Sequence, residues 1–236
     1  MVRKAMSPGV GSELSWSSLT DGKGVNMSIG SPKDTILAVG TGPAAAGATS
    51  GKAVGELLAR IKDSSPDVRT QAWLGAGGIG AAAVRSLSGV MTDQDLEIAR
   101  AAKRALWKIV HHAGRPGAQD EKRAVASELI ELLGEDPAVP VRREILWMLS
   151  EIGEREAVQP MARLLANEDL REDARMTLER IPGRRSLTAL RTAFEAAPED
   201  FKSNLAQSLR RRGETIPGYP GEKLVPRRKT EVKPLE

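Results

Sequence analysis

The sequence predicts an all-α fold, a solenoid of about five stacked helix pairs between irregular N- and C-terminal segments. Three observations predict it. An apolar residue opens the pattern i, i+4, i+8, i+11 five times: Val68, Ala72, Ala76, Ile79; Ile98, Ala102, Leu106, Ile109; Val141, Ile145, Leu149, Ile152; Leu170, Ala174, Leu178, Ile181; and Phe201, Leu205, Leu209, where Arg212 breaks the last slot. At about 100° per residue these offsets lie within an arc of roughly 80°, one face of a helix. The openings are 30, 43, 29 and 31 residues apart, and a striped helix that recurs at such a period buries its stripe by stacking on its neighbours. Glycine then punctuates the chain after each striped helix, at Gly80, Gly114, Gly153, Gly183 (behind Pro182) and Gly213, where a left-handed residue closes a helix.

The elements follow in order. Residues 1–50 are rich in Gly, Ser, Thr and Ala without a helical stripe, and are expected to be largely irregular, with one short strand or helix near residues 35–39. Residues 52–62 carry Val54, Leu57, Leu58 and Ile61 and predict a short amphipathic helix that covers the first unit. Each unit then has a striped first helix, a break and a second helix. The second helices are marked by Val84 and Leu87; Val125, Leu129 and Leu132; Val158, Met161 and Leu165; and Leu187, Leu190 and Phe194. The long interval of 43 residues is read as an insertion over residues 111–120. The repeat domain is thus expected over residues 51–213, and a basic tail punctuated by Pro217, Pro220, Pro226 and Pro234 over residues 214–236.

Acids and bases flank the stripe openings: Asp67-Val68-Arg69, Asp169-Leu170-Arg171 and Asp200-Phe201-Lys202 carry both, Glu97-Ile98 keeps the acid and Val141-Arg142 the base. The acid suits a helix N-terminus, and the base is placed to reach a neighbouring unit. With Pro66-Asp67-Val68-Arg69 and Val141-Arg142…Leu149…Ile152-Gly153…Ala157-Val158…Leu164-Leu165, residues 52–213 resemble HEAT repeats, most of all the short bacterial type named after phycobilisome lyase subunits. The resemblance implies a right-handed stack of antiparallel helix pairs, Asp and Arg ladders between layers, and a binding scaffold more often than an enzyme.

Composition narrows the chemistry. There is no cysteine, which excludes disulfides, thiolate-bound zinc and thiol catalysis. No apolar run approaches the roughly 20 residues that span a bilayer, and no hydrophobic run follows Arg3 and Lys4, so a cytoplasmic protein without a signal peptide is expected. From Arg210 onward there are eight Lys/Arg and four Glu, so the net charge of +4 belongs to the tail and the preceding chain is balanced.

Candidate chemistry is thin. Ile36-Leu37-Ala38-Val39-Gly40-Thr41-Gly42-Pro43-Ala44-Ala45 has the outline of a dinucleotide fingerprint but lacks the surrounding strands, and Gly47-Ala48-Thr49-Ser50-Gly51-Lys52-Ala53 is one residue short of a phosphate loop, without its magnesium-binding hydroxyl. The only histidines, His111 and His112, are adjacent and point about 100° apart on a helix, unlike the i, i+4 ligand pair. Neither metal nor cofactor is expected, and no catalytic residue. Trp73, Trp107 and Trp147 sit in first helices at unequal offsets and read as boundary packing; a base-cradling role like that in HEAT-like DNA glycosylases would pair Trp147 with Glu144 or Glu151.

The expected function is a non-enzymatic scaffold that binds a protein partner along the concave, second-helix face. Arg85, Arg123, Arg155, Arg163, Arg184, Arg185 and Arg191 are its candidate contacts, interleaved with Glu128, Glu131, Glu156 and Glu195. The alternatives are a nucleic-acid-associated protein that uses Arg210, Arg211, Arg212, Arg227, Arg228 and Lys229, and an accessory subunit of a lyase-type enzyme.

Overall fold

A computed structural model describes residues 43–219 and residue 221. Those residues are helical, without a strand, in the order α1 (Pro43–Ile61), α2 (Pro66–Leu74), a 3₁₀ segment (Ala76–Ala83), α3 (Val84–Val90), α4 (Leu96–Ala113), α5 (Gln119–Gly134), α6 (Val139–Ile152), α7 (Val158–Leu164), α8 (Arg171–Arg180), α9 (Arg184–Ala196) and α10 (Glu199–Arg211). A single 3₁₀ turn, Arg155–Ala157, leads into α7.

First helices stack in series: α2 and the 3₁₀ segment on α4, α4 on α6, α6 on α8, and α8 on α10. Second helices stand beside them, α3 against α5 and α7 against α9. This is an all-α solenoid, with four complete pairs among the described residues and α10 as the first helix of a fifth. The predicted stripes form its core. All four members of the α6 stripe and of the α8 stripe are buried, as are Phe201, Leu205 and Leu209 on α10.

Four local expectations are corrected. Helix α1 begins at Pro43, not Lys52: proline suits a first helical position, and the alanines after it favour helix. The Gly47-to-Lys52 stretch lies inside this helix, where its backbone N–H groups serve the helical ladder instead of a phosphate. The stripe of the first unit does not ride one helix to Gly80. Helix α2 ends at Gly75, and the run Gly75, Gly77, Gly78, Gly80 continues as a 3₁₀ segment in which Gly80 takes φ 68°. Gly77 there lies against His112, whose Cβ would be 3.0 Å from any side chain added at that glycine. Finally, residues 111–120 are no inserted loop. Helix α4 runs for 18 residues through His111 and His112, and α5 for 16, so the long interval is spent on longer helices. The residues expected to form an element near 35–39, like the apolar run from Ile36 to Gly42, lie outside the described residues.

Candidate functional site

Two surfaces collect the candidate residues: the second-helix face, and the end of the stack at α10. On the second-helix face most cations are spent on neighbours. Arg85 on α3 reaches across to α5, bonding Glu135 and lying 3.8 Å from both Glu128 and Glu131. Its hydrogen bond to Glu135, then that carboxylate's charge, hold the guanidinium above the ordinary arginine range. Arg123 pairs with Asp120 on its own helix, Arg155 with Glu156 at 3.4 Å, and Arg191 with Glu214 at 2.5 Å. Among the described residues Arg163, Arg184 and Arg185 make no ion pair or side-chain hydrogen bond, and all three are exposed.

Arg184 and Arg185 line a mostly apolar groove of about 760 Å³ on this face, between α7 and α9. Val158, Ala162 and Leu165 form one wall, Ala189 and Ala193 the other, and Phe201 closes the floor from α10. The groove follows from helix lengths. Helix α7 has seven residues and α9 has thirteen, so α9 runs on without a companion of equal length. The α9 residues that face the gap, Thr188, Ala189, Thr192, Ala193 and Ala196, are too small to fill it. Helix α9 also opens without an acid in its first turn, where α8 has Glu172 and Asp173 and α10 has Glu199 and Asp200. Helices α3 and α7 of the same face open without one too, but only at the start of α9 do two exposed arginines, Arg184 and Arg185, stand without an ion pair.

The first-helix face is self-satisfied. Glu144 on α6 accepts from the Trp107 indole at 3.1 Å and from Lys103 at 2.9 Å, both on α4. Asp173 on α8 repeats the arrangement one layer on, accepting from the Trp147 indole at 3.0 Å with Arg143 at 3.5 Å. Trp147 thus pairs with Asp173 rather than with Glu144 or Glu151. Trp73 has no acid opposite; Arg104 and Lys108 of α4 lie 5.7 and 5.8 Å from its ring centroid. The sequence marks the two rungs with a base four residues before the tryptophan, Lys103/Trp107 and Arg143/Trp147, but Arg69/Trp73 shares that spacing without forming a rung. His111 packs its ring 5.4 Å from that of Trp107, and His112 lies 3.7 Å from Glu121.

At the end of the stack, Arg210, Arg211 and Arg212 are engaged within the chain. Arg210 donates to the Tyr219 carbonyl at 2.5 Å, and Arg211 to Glu179 at 3.0 Å. Arg212 takes the polar slot of the fifth stripe and reaches back one layer. Its guanidinium donates to the carbonyls of Leu178, Glu179, Ile181 and Gly183 at 2.8–3.2 Å and to Ser186 Oγ at 3.1 Å, capping the C-terminus of α8. The chain then folds back over α9 and α10. Ile216 packs on the core, the Tyr219 ring meets Phe194 edge-on at 5.3 Å, and its hydroxyl donates to Glu199 at 2.8 Å. Arg227, Arg228 and Lys229 lie outside the described residues.

Compared with known families, residues 126–210 match the family model described as HEAT repeats. That match runs from within α5 to Arg210 in α10, across the layers of the last three stripes and the Trp147–Asp173 pair. Residues 126–210 carry HEAT repeats. These HEAT layers, α6 to α10, also form the groove and the two unpaired arginines beside it. The match is to HEAT repeats at large and does not single out the short bacterial type. No curated protein matches the chain. Among the described residues no helix is long and apolar enough to cross a membrane, and no group of His, Asp and Glu is arranged to hold a metal ion.

Proposed function

We propose that the chain is a non-enzymatic HEAT-repeat scaffold that binds a protein partner on its second-helix face, centred on the α7/α9 groove. HEAT repeats serve generally as protein-interaction scaffolds. One observation carries the location: the groove brings exposed apolar surface together with Arg184 and Arg185, which the fold leaves without partners, whereas Arg85, Arg123, Arg155 and Arg191 are bound to acids of this chain. A concave apolar site with a few orienting polar groups is the usual form of a binding site.

The nucleic-acid reading is weaker on the same grounds. Polyanion binding draws on free cations that follow a phosphate backbone, and Arg210, Arg211 and Arg212 already serve Tyr219, Glu179 and the α8 carbonyls. The test compares three purified chains for binding to a partner recovered by the wild type: full length, full length with R184E/R185E, and a truncation after Gly221. Loss with R184E/R185E alone supports the scaffold reading. Loss with the truncation alone overturns it in favour of the tail.

A further inference from the structure

The groove between α7 and α9 has a length, a lining and a charge polarity that together specify its occupant more narrowly than "a protein". We infer that it receives an amphipathic helix of a partner protein, apolar on one face and acidic in its first turn, lying parallel to α9. This inference rests on the scaffold reading above and deepens it.

The length comes from α9. The residues that it turns to the groove run from Arg185 to Ala196, which is about 16 Å at 1.5 Å per residue, or three helical turns. Helix α7 stops at Leu164, far short of that, so the vacant length beside α9 suits one further helix. The lining is mostly apolar, with Phe201 at its floor and Leu165 and alanines on its walls, beside Gln159, Thr188 and Thr192. Such a surface takes up Leu, Ile or Val presented at i, i+3, i+4 and i+7. Its only cations, Arg184 and Arg185, sit at one end, too few to follow a sugar–phosphate chain.

The charge fixes the direction. Arg184 and Arg185 stand at the N-terminal end of α9, exposed, with no acid in the first turn of their helix and no ion pair among the described residues. An occupant with Asp or Glu beside them places those acids at one of its own ends. Acids in the first turn of a helix complement its dipole, and acids in the last turn oppose it. The occupant therefore starts where α9 starts and runs the same way. The chain's own tail does not fit this description, because Arg227, Arg228 and Lys229 repeat the charge of the groove end.

The experiment uses the full chain and fluorescein-labelled helical peptides of about 14 residues, read by anisotropy. One peptide has Asp and Glu in its first turn and Leu and Ala on one face. A second has the same sequence reversed. A third has Lys for each acid. The expected order is acid-first tightest, reversed about fivefold weaker and Lys-bearing at least tenfold weaker, since a rejected charge acts through repulsion as well as lost attraction. R184E/R185E is expected to reverse the preference between the first and third peptides. T192F, at an exposed position in the groove lining, is expected to block all binding by filling the groove, with an unchanged circular dichroism spectrum as the check on folding. Binding that ignores charge, or charge order, or the T192F change, overturns the inference, and so does absence of binding by the acid-first peptide. None of these results touches the scaffold reading, which falls instead on loss of partner binding through the tail truncation alone.

Discussion

The Trp147 indole Nε1 lies 3.0 Å from Asp173 Oδ1, a hydrogen bond from α6 in one layer to α8 in the next. The Asp173 side chain is 17% exposed, so water competes little for it. The half-buried ring has its one polar atom satisfied by a carboxylate oxygen of the next layer. Trp147→Phe keeps most of the packing and removes the donor, and is expected to cost about 1–2 kcal/mol by urea denaturation. An unchanged midpoint would show that the bond between layers carries no stability.

Arg212 is expected to be a structural residue although it is a surface cation in a basic run. Arg212→Ala uncovers the carbonyls of Leu178, Ile181 and Gly183 together and should cost about 2 kcal/mol or more. Arg212→Lys should recover only part of this, because three donors on one nitrogen do not span the carbonyls that Nη1 and Nη2 reach separately. Thermal unfolding of the two variants measures both effects. Equal midpoints for wild type and Arg212→Ala would return this residue to the solvent.

Leu149 and Leu178 occupy equivalent slots of adjacent stripes and are fully buried, at 0% exposure. Leu→Ala at either is expected to cost about 2–5 kcal/mol, the range set by how far the cavity collapses. Denaturant midpoints close to the wild type at both sites would mean that the stripes do not face the layer interfaces.

Tyr219 is the only tyrosine of the chain, so its ionisation is read directly by phenolate absorbance. Its hydrogen bond to Glu199, followed by burial and that carboxylate's charge, raises it above the ordinary tyrosine value. The same bond, with Lys202 second, lowers Glu199 below the ordinary glutamate value. A raised tyrosine contributes below its unfolded value and ceases to as pH rises through the folded one. A lowered glutamate contributes above its unfolded value and is lost as pH falls through the folded one. Docking of the segment after Gly213 is therefore expected to be firmest at intermediate pH and to loosen at both extremes. Glu199→Gln should bring the Tyr219 midpoint down toward the ordinary value; a midpoint that stays in place would separate the two groups.

The stripes were legible because period and burial are local properties of a helix: Val141, Ile145, Leu149 and Ile152 announce a face without reference to anything else. The break at Gly75 was half-legible, since glycine density signals a weak helix but not the 3₁₀ geometry that replaces it. Arg212 was misleading in kind: a polar residue in an apolar slot looks like the end of a pattern, and only the layer behind it supplies the carbonyls it caps. The groove was not legible, because it depends on α7 ending after Leu164 while α9 reaches Ala196, a difference in length between helices that no single stretch contains. Arg184 and Arg185 were visible as charges; that they stay unpaired when Arg85 and Arg191 do not depends on which acids the neighbouring layers bring near.

The most direct test of the scaffold account is hydrogen–deuterium exchange of the full chain with and without a purified partner. The account predicts added protection concentrated in α7 and α9, between Val158 and Ala196, with α2, α4 and the segment around Arg227, Arg228 and Lys229 unchanged. Protection confined to that basic segment, with α7 and α9 exchanging as in the free chain, would contradict it.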